Sequence, residues 1–534
     1  MRQQLLCIIL FALGLTINAQ ITYVNINATG LNNGSSWANA YTDLHSATYN
    51  TTSGEIWVAQ GTYLPTKNAI DAVPANVSQK TFRIKFNVKV FGGFIGTETL
   101  RAQRDWKNNQ TILSGQLGTT TKAYNIVTFD ANTSTTEFDG FTVENGQANG
   151  STELFGGAIV MKNNSSPTIR NCKFVNNVAQ QHGGAIHAFG GDPKIENCEF
   201  KNNHTNLYDG GALYINGASN TTITNCLFNG NIAVRHGGAM VLINTTISKV
   251  TNCTFVNNQR GTGGIGGVIL LSATAGSPNL TINNCIFYNN LPSNSGGVNL
   301  NAGSYTVKNS YTNVGSLCFT SNSGLTNIIT GTPYFTDFTG GDYTLLCNSP
   351  AVNAGDTTGL IIPSNDLNGN SRIRGNSIDI GAYENQLTTQ TSLVGLGIMA
   401  DQTGATYRWL NCNSGYSVIP GETSQTFTPS ANGSYAVEIT LNSCTDTSEC
   451  VVFNNVSVNE LKNTTFKLYP NPTSDNLTIQ STEKIETIFI FNTLGALLQT
   501  EKTNTFSVYN LPQGIYIAQI KTDKGTSTIR FIKE

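Results

Sequence analysis

From Gly156 onward, short runs of alternating apolar and polar positions recur along the chain. Gly183–Ala188 reads Gly-Gly-Ala-Ile-His-Ala, Pro193–Phe200 reads Pro-Lys-Ile-Glu-Asn-Cys-Glu-Phe, and a polar Lys-Asn-Asn follows. Alternation with a period of two predicts strands with one buried face, and nothing here has the i, i+3, i+4 spacing of a helix. The Gly-Gly pairs stand at Gly156, Gly183, Gly210 and Gly237, each 27 residues after the last, then at Gly266 and Gly296. Asn-Cys-x-Phe-x-x-Asn occurs five times between Asn171 and Asn290. A fixed period of this kind predicts stacked repeats. Three strands per unit predict one coil of a right-handed parallel β-helix, with coils roughly 4.8 Å apart.

Stacking places equivalent residues above one another. Cys172, Cys198, Cys226, Cys253 and Cys285 are expected in one interior ladder, and Phe174, Phe200, Phe228, Phe255 and Phe287 in another. Thiolates placed one per coil form a line, whereas zinc needs four ligands on a tetrahedron, so these cysteines read as small core residues. Asn177, Asn203, Asn231, Asn258 and Asn290 are expected at a turn, bonding along the stack and tolerating left-handed backbone. The glycine pairs are expected to supply positive φ at another corner.

The flanking segments have other rhythms. Trp37 to Ala47 is the one stretch with helical amphipathicity, Ala40, Tyr41, Leu44 and Ala47 falling on one side; it suits a lid on an open solenoid end. Met1 to Ala19 reads as a secretory signal, with Arg2 before an apolar run from Leu5 to Leu15. No later run approaches the ~20 apolar residues of a membrane-spanning helix.

Several segments carry resemblances. Phe-x-x-Asn in all five units, with Gly-Gly-Ala-Ile at Gly156 and Gly183, resembles the repeats of polymorphic outer-membrane proteins, which are β-helical surface adhesins. The pattern drifts to Gly-Gly-Ala-Leu at Gly210 and Gly-Gly-Ala-Met at Gly237, and the transmembrane barrel that ends that family is not expected here. Asn348–Gly355, Asp366–Asn370 and Asp379–Glu384 look like the terminal segment of secreted β-helix proteins, expected to cap the far end. Trp409 with Cys412, Cys444 and Cys450 resembles an immunoglobulin-like sandwich of bacterial surface proteins. One bridge is expected among these three cysteines, its pairing open, and a second is an option between Cys318 and Cys347.

The tail is similar to the type A C-terminal sorting domain of the type IX secretion system. The matching blocks are Tyr469-Pro470-Asn471-Pro472, Asn492–Gly495, Leu511-Pro512-Gln513-Gly514-Ile515-Tyr516 and Arg530–Lys533. The resemblance implies export to the periplasm, then passage across the outer membrane. It also implies cleavage of the tail, for which the polar stretch between Phe453 and Thr465 is suited, and attachment to the cell surface or release. The expected order is all-β: signal 1–19, N-terminal cap and first strands 20–80, parallel β-helix 81–315, C-terminal cap segment 316–386, immunoglobulin-like domain 391–452, linker 453–465 and β-sandwich sorting domain 466–534.

Composition narrows the function. Charged residues make up 12% of the chain, against about 25% in ordinary globular proteins, and a net charge of −2 gives no basic stripe for nucleic acid. Stacking also brings together groups about 27 residues apart. His182, Asp209 and His236 stand just before their Gly-Gly pairs, Tyr208 and Arg235 one step earlier, and His187 above Tyr214 on the next strand. Secreted β-helices include polysaccharide lyases, in which a base removes a sugar proton and a cation neutralises the uronate. His182, His236 or Tyr208 would be that base and Arg235 the cation. The bland alternative, a polar corner in which Asp209 steadies two imidazoles, is preferred because a shallow column is not a cleft. The outward column Val160, His187, Tyr214, Val241, Leu270, Leu300 is expected either to meet sugar rings or to lie under a turn. Asp366, Asn368 and Asn370 have ligand-like spacing for calcium, but Ser371 and Ser377 replace the Gly and Glu of an EF-hand, so an Asx-rich turn is expected. No other cofactor is expected. The sequence thus predicts a secreted surface adhesin or polysaccharide-binding component, with a polysaccharide lyase as the alternative.

Overall fold

The computed structural model describes residues 20–534 except 86, 275, 293–296, 301–303, 314–322, 374–376, 442–443, 455–465 and 524. The expected signal, Cys318 and nearly all of the linker lie outside the described residues. Two compact units are present. The first spans residues up to 392 with 399–427 and 436–450, and the second comprises 393–398, 428–435 and 451–534.

The main body of the first unit is a parallel β-solenoid. One coil runs through Ile186–Phe189, Lys194–Glu196, Glu199–Lys201 and the two-residue strand His204–Thr205. Each strand pairs in parallel with its counterpart one coil on, as in Ile186↔Leu213, Ile195↔Ile223 and Phe200↔Phe228. The expectation of three strands is therefore refined. Pro193–Phe200 is broken in two at Asn197, whose φ of 53° turns the backbone between Glu196 and Cys198.

The three ladders form as the period predicts. The five cysteines are buried with free thiols, and the five phenylalanine rings stack with centroids 4.7 to 4.9 Å apart. Along the asparagine ladder each Nδ2 donates to the next Oδ1 at 2.9 to 3.1 Å. The left-handed backbone falls on other residues than expected. It belongs to Asn171, Asn197, Asn225, Asn252 and Asn284, and to Asn176, Asn202, Gly230, Asn257 and Asn289, each just before a ladder cysteine or asparagine. Geometry explains the division: the residue that turns the chain faces outward, and the next one points in and bonds along the stack. At the opposite corner Gly183 has a φ of 63°, and a Cβ on Gly211 would collide with the carbonyl oxygen of Gly238.

The helix at the N-terminal end is shorter than predicted, Leu44–Asn50, with Asp43 accepting from the Ser46 amide at 3.0 Å. Trp37 to Thr42 is not helical because Tyr41 exchanges backbone bonds with Tyr23 and Asn25, drawing this stretch onto the first strand. Leu44 and Ala47 still close the interior core. The segment expected as an end cap lies instead along the solenoid's side. Phe335, Leu345, Ala351, Ile380 and Ala382 pack with Leu227, Val256 and Ile286, and the Ala382 amide donates to Thr254 Oγ1 at 2.9 Å.

Cys412 bonds Cys450, settling the pair among those three cysteines, and Cys444 bonds Cys347, which corrects the Cys318–Cys347 option. The second unit contains two antiparallel sheets, one built on Phe466–Tyr469, Asn476–Ser481 and Thr505–Ser507, the other on Ile485–Asn492, Leu497–Glu501, Gly514–Thr522 and Gly525–Lys533. Leu477, Ile479, Ile488, Ile490 and Phe531 fill the space between them. Among the described residues no helix is long and apolar enough to cross a membrane.

Candidate functional site

The corner before each Gly-Gly pair repeats in register, since the amides of Gly156, Gly183 and Gly210 donate to the carbonyls of His182, Asp209 and His236. His182, Asp209 and His236 therefore stack as expected, and Phe155 extends the column by one coil, bridging to His182. Phe155 was not singled out from sequence, although it occupies the place just before Gly156 that His182 occupies before Gly183.

Arg235 donates to Asp209 through Nε and Nη2 at 2.9 and 2.6 Å and lies over the Tyr208 ring at 4.8 Å. The Asp209 bond raises the Arg235 pKa further. His182 Nδ1 is 3.5 Å from Asp209 Oδ2, and its ring stacks between Phe155 and Tyr208 at 5.8 and 5.3 Å. Burial, partly offset by Asp209, lowers the His182 pKa to about 4. His236 Nδ1 accepts from the Ile265 amide at 2.8 Å, which leaves Nε2 as the protonated nitrogen of the neutral ring. Burial lowers the pKa of His236 as well. Arg235 and Asp209 thus already engage each other, and His236 Nδ1 is taken by a backbone amide.

His187 stacks on Tyr214 at 4.9 Å, as the register requires. Both are buried, His187 to 1% exposure and Tyr214 to 7%, beneath corner residues that include Phe155 and His182. Burial drives the His187 pKa well down and pushes Tyr214 up to about 12. The covered option for this column is the one that occurs, with Tyr214, Val241 and Leu270 forming an apolar cluster with Ile265. Its last member is corrected: Leu270 pairs with Asn299, while Leu300 pairs with Leu271.

Asp366 spends its carboxylate on backbone, accepting from the amides of Asn370 at 2.7 Å and Glu384 at 3.0 Å, and the Asn368 carbonyl meets the Lys107 ammonium. This is the Asx-rich turn. Nearby, Arg372 and Glu384 are fully buried together at 3.5 Å, and burial with the neighbouring Asp379 raises the Glu384 pKa to about 9. Among the described residues no three His, Cys, Asp or Glu side chains converge as a metal site.

In the tail, Asn471 Oδ1 accepts from the Ile532 amide at 2.8 Å, and Tyr516 donates to the Pro512 carbonyl at 2.8 Å. The sorting signature is therefore a set of internal ties within one sandwich.

Residues 467–534 match the family described as a secretion system C-terminal sorting domain, and residues 157–334 match the right handed beta helix region. No curated protein matches the chain. Among solved structures, pectate lyase Pel9A is 15% identical, with 68% of this chain and 96% of that chain covered and a TM-score of 0.40. A rhamnogalacturonan lyase is 13% identical, with coverages of 58% and 84% and a TM-score of 0.29. Likeness at this level carries no argument about activity. The chain carries a right-handed β-helix region and a type IX secretion sorting domain, and the latter marks it as a secreted or cell-surface protein.

Proposed function

We propose that the chain is a surface component, exported through the periplasm, whose solenoid holds extracellular polysaccharide without catalysis, in the manner of the adhesins its Gly-Gly-Ala-Ile repeats resemble. In this reading residues 81–315 form the binding solenoid, 391–452 a spacer and 466–534 the address. The observation that carries it is that the corner column offers neither a free base nor a free cation of the kind a lyase uses. A lyase needs a base that titrates near working pH and a cation directed at the uronate. His182 is held at about 4, His236 uses its Nδ1 lone pair on a backbone amide, and Arg235 is committed to Asp209. Polymer binding asks less: an extended surface with repeated polar groups, which stacked coils supply.

The test incubates the secreted protein with acidic and neutral polysaccharides and follows retention together with the ultraviolet absorbance of newly unsaturated sugar. Retention with no new absorbance is the expected result. Absorbance that rises with the wild type and disappears in His236→Ala would replace the adhesin with a lyase.

A further inference from the structure

A cavity of about 390 Å³ opens at the N-terminal end of the solenoid. Its walls come from three separate stretches: the helix Leu44–Asn50, the loop at Ala69–Asp71, and the strand Phe82–Ile84 with Lys85 beyond it. His45 is buried, its Nε2 lies 2.6 Å from Asp71 Oδ1, and its Nδ1 is buried without a hydrogen-bond partner. Lys67 meets the same Asp71 oxygen at 3.0 Å. Asp71 itself has a φ of 63°, a left-handed conformation that is uncommon away from glycine, in a turn whose backbone is bonded to Asn68. Arg83 ties the loop to the strand, donating to the Ala69 carbonyl at 2.7 Å while pairing with Asp130. The loop is thus held as a built wall.

A second cavity of about 200 Å³ shares the Ala69–Ile70 wall and extends past Thr128 to Lys162 and Glu153. The register Arg83↔Thr128↔Val160 puts these positions on successive coils. Together the two cavities form a groove that follows the solenoid axis, the direction in which an extended polymer would lie.

Its chemistry narrows the occupant. Tyr49 and Ile70, 56% and 78% exposed, give apolar surface at the mouth. Lys67, Arg83 and Lys85 bring three positive charges to this end against the two carboxylates of Asp71 and Asp130, which Lys67 and Arg83 engage, so the balance around the larger cavity is positive. An aromatic and aliphatic wall suits the apolar face of a sugar ring, and a guanidinium with an ammonium suits a carboxylate or a sulfate ester. We infer that this groove binds an anionic sugar residue of an extended glycan, its ring against Tyr49 and its charged group toward Arg83 and Lys85. The inference rests on the polysaccharide-binding reading above.

The experiment measures binding of the full secreted chain to three probes by calorimetry: a linear tri-uronate, a sulfated trihexose and a neutral trihexose. At least one anionic probe is expected to bind ten-fold or more tightly than the neutral one, and which of the two binds identifies the charged group. Lys85→Glu and Tyr49→Ala should each weaken that binding at least ten-fold. Both residues are exposed, and thermal melting checks that the variants stay folded. Lys249→Glu, on a different sheet, should leave binding unchanged. Binding that survives both groove variants overturns the groove and leaves the polysaccharide reading standing. Equal affinity for the neutral probe overturns the anionic class. A wild type that binds none of the three probes and no polysaccharide overturns groove and reading together.

Discussion

Asn231 donates from Nδ2 to Asn258 Oδ1 at 2.9 Å and to the Phe200 carbonyl at 2.9 Å, while its Oδ1 accepts from the backbone and side chain of Asn203 at 3.0 Å. Two donors and two lone pairs are all used, inside a core that water does not reach. Asn231→Ala would strand partners on both neighbouring coils, at roughly 1–3 kcal/mol for each buried group left unpaired. Urea unfolding is expected to show a loss of about 3 kcal/mol or more; a loss below about 1 kcal/mol would mean the ladder is ornamental.

Phe228 lies between Phe200 and Phe255, with ring centroids 4.7 and 4.8 Å away, and is fully buried. Its truncation leaves a hole that two flat neighbours on fixed coils cannot fill. Phe228→Ala is therefore expected to cost about 3–5 kcal/mol. Unfolding indistinguishable from the wild type would remove Phe228 from the interior.

The solenoid was legible because stacking turns one physical demand into five copies of the same residue. Phe174 through Phe287 state the interior, and a repeat of Asn-Cys states a corner. The division of labour between adjacent asparagines was not legible, since Asn176 and Asn177 have the same side chain and differ only in backbone angle. Trp37 to Ala47 has helical spacing, but Tyr41 gains two backbone bonds on the strand edge, and tertiary pairing outweighed local propensity. Leu300 was placed one position off because the spacing between coils is no longer 27 residues there, and Asn299 is the residue that pairs with Leu270. The groove at Tyr49, Asp71 and Arg83 had no signal at all: its walls meet through the fold and repeat nowhere in the chain.

Acid should act on the corner column through His182. Its folded pKa is about 4 against an ordinary value of 6.5, so the unfolded chain takes up a proton first as pH falls. The stability this neutral ring contributes is complete above about 6.5 and is lost as pH falls toward 4. The wild type should lose more stability than His182→Gln between pH 7.5 and pH 4.5 in parallel urea titrations. Parallel curves for the two proteins would show that His182 is not held neutral by the fold.

The five ladder thiols are buried, and burial pushes the pKa of Cys172 and Cys198 well up. A thiol that does not meet solvent is out of reach of an alkylating reagent, whatever its neighbours. Native protein treated with a maleimide should yield unmodified peptides at Cys172, Cys198, Cys226, Cys253 and Cys285, and all five should label in denaturant. An adduct at Cys226 in the native protein would contradict the interior ladder.

Asn471 connects the sorting signature to the end of the chain. Its Oδ1 accepts from Ile532 N–H at 2.8 Å and its Nδ2 donates to the Arg530 carbonyl at 3.3 Å, holding the turn against the strand Gly525–Lys533. The Tyr516 ring stacks on Phe531 at 5.6 Å across the same strand pair. If export depends on this sandwich being folded, the two bonds of Asn471 can be separated by substitution. Asn471→Ala removes both and should lower the exported fraction, with protein accumulating in the periplasm. Asn471→Asp keeps the acceptor for Ile532 and should restore most of the export, because the shorter bond is the one retained. Export of the alanine variant at the wild-type level would mean that the machinery reads the tail without needing its last strand fastened.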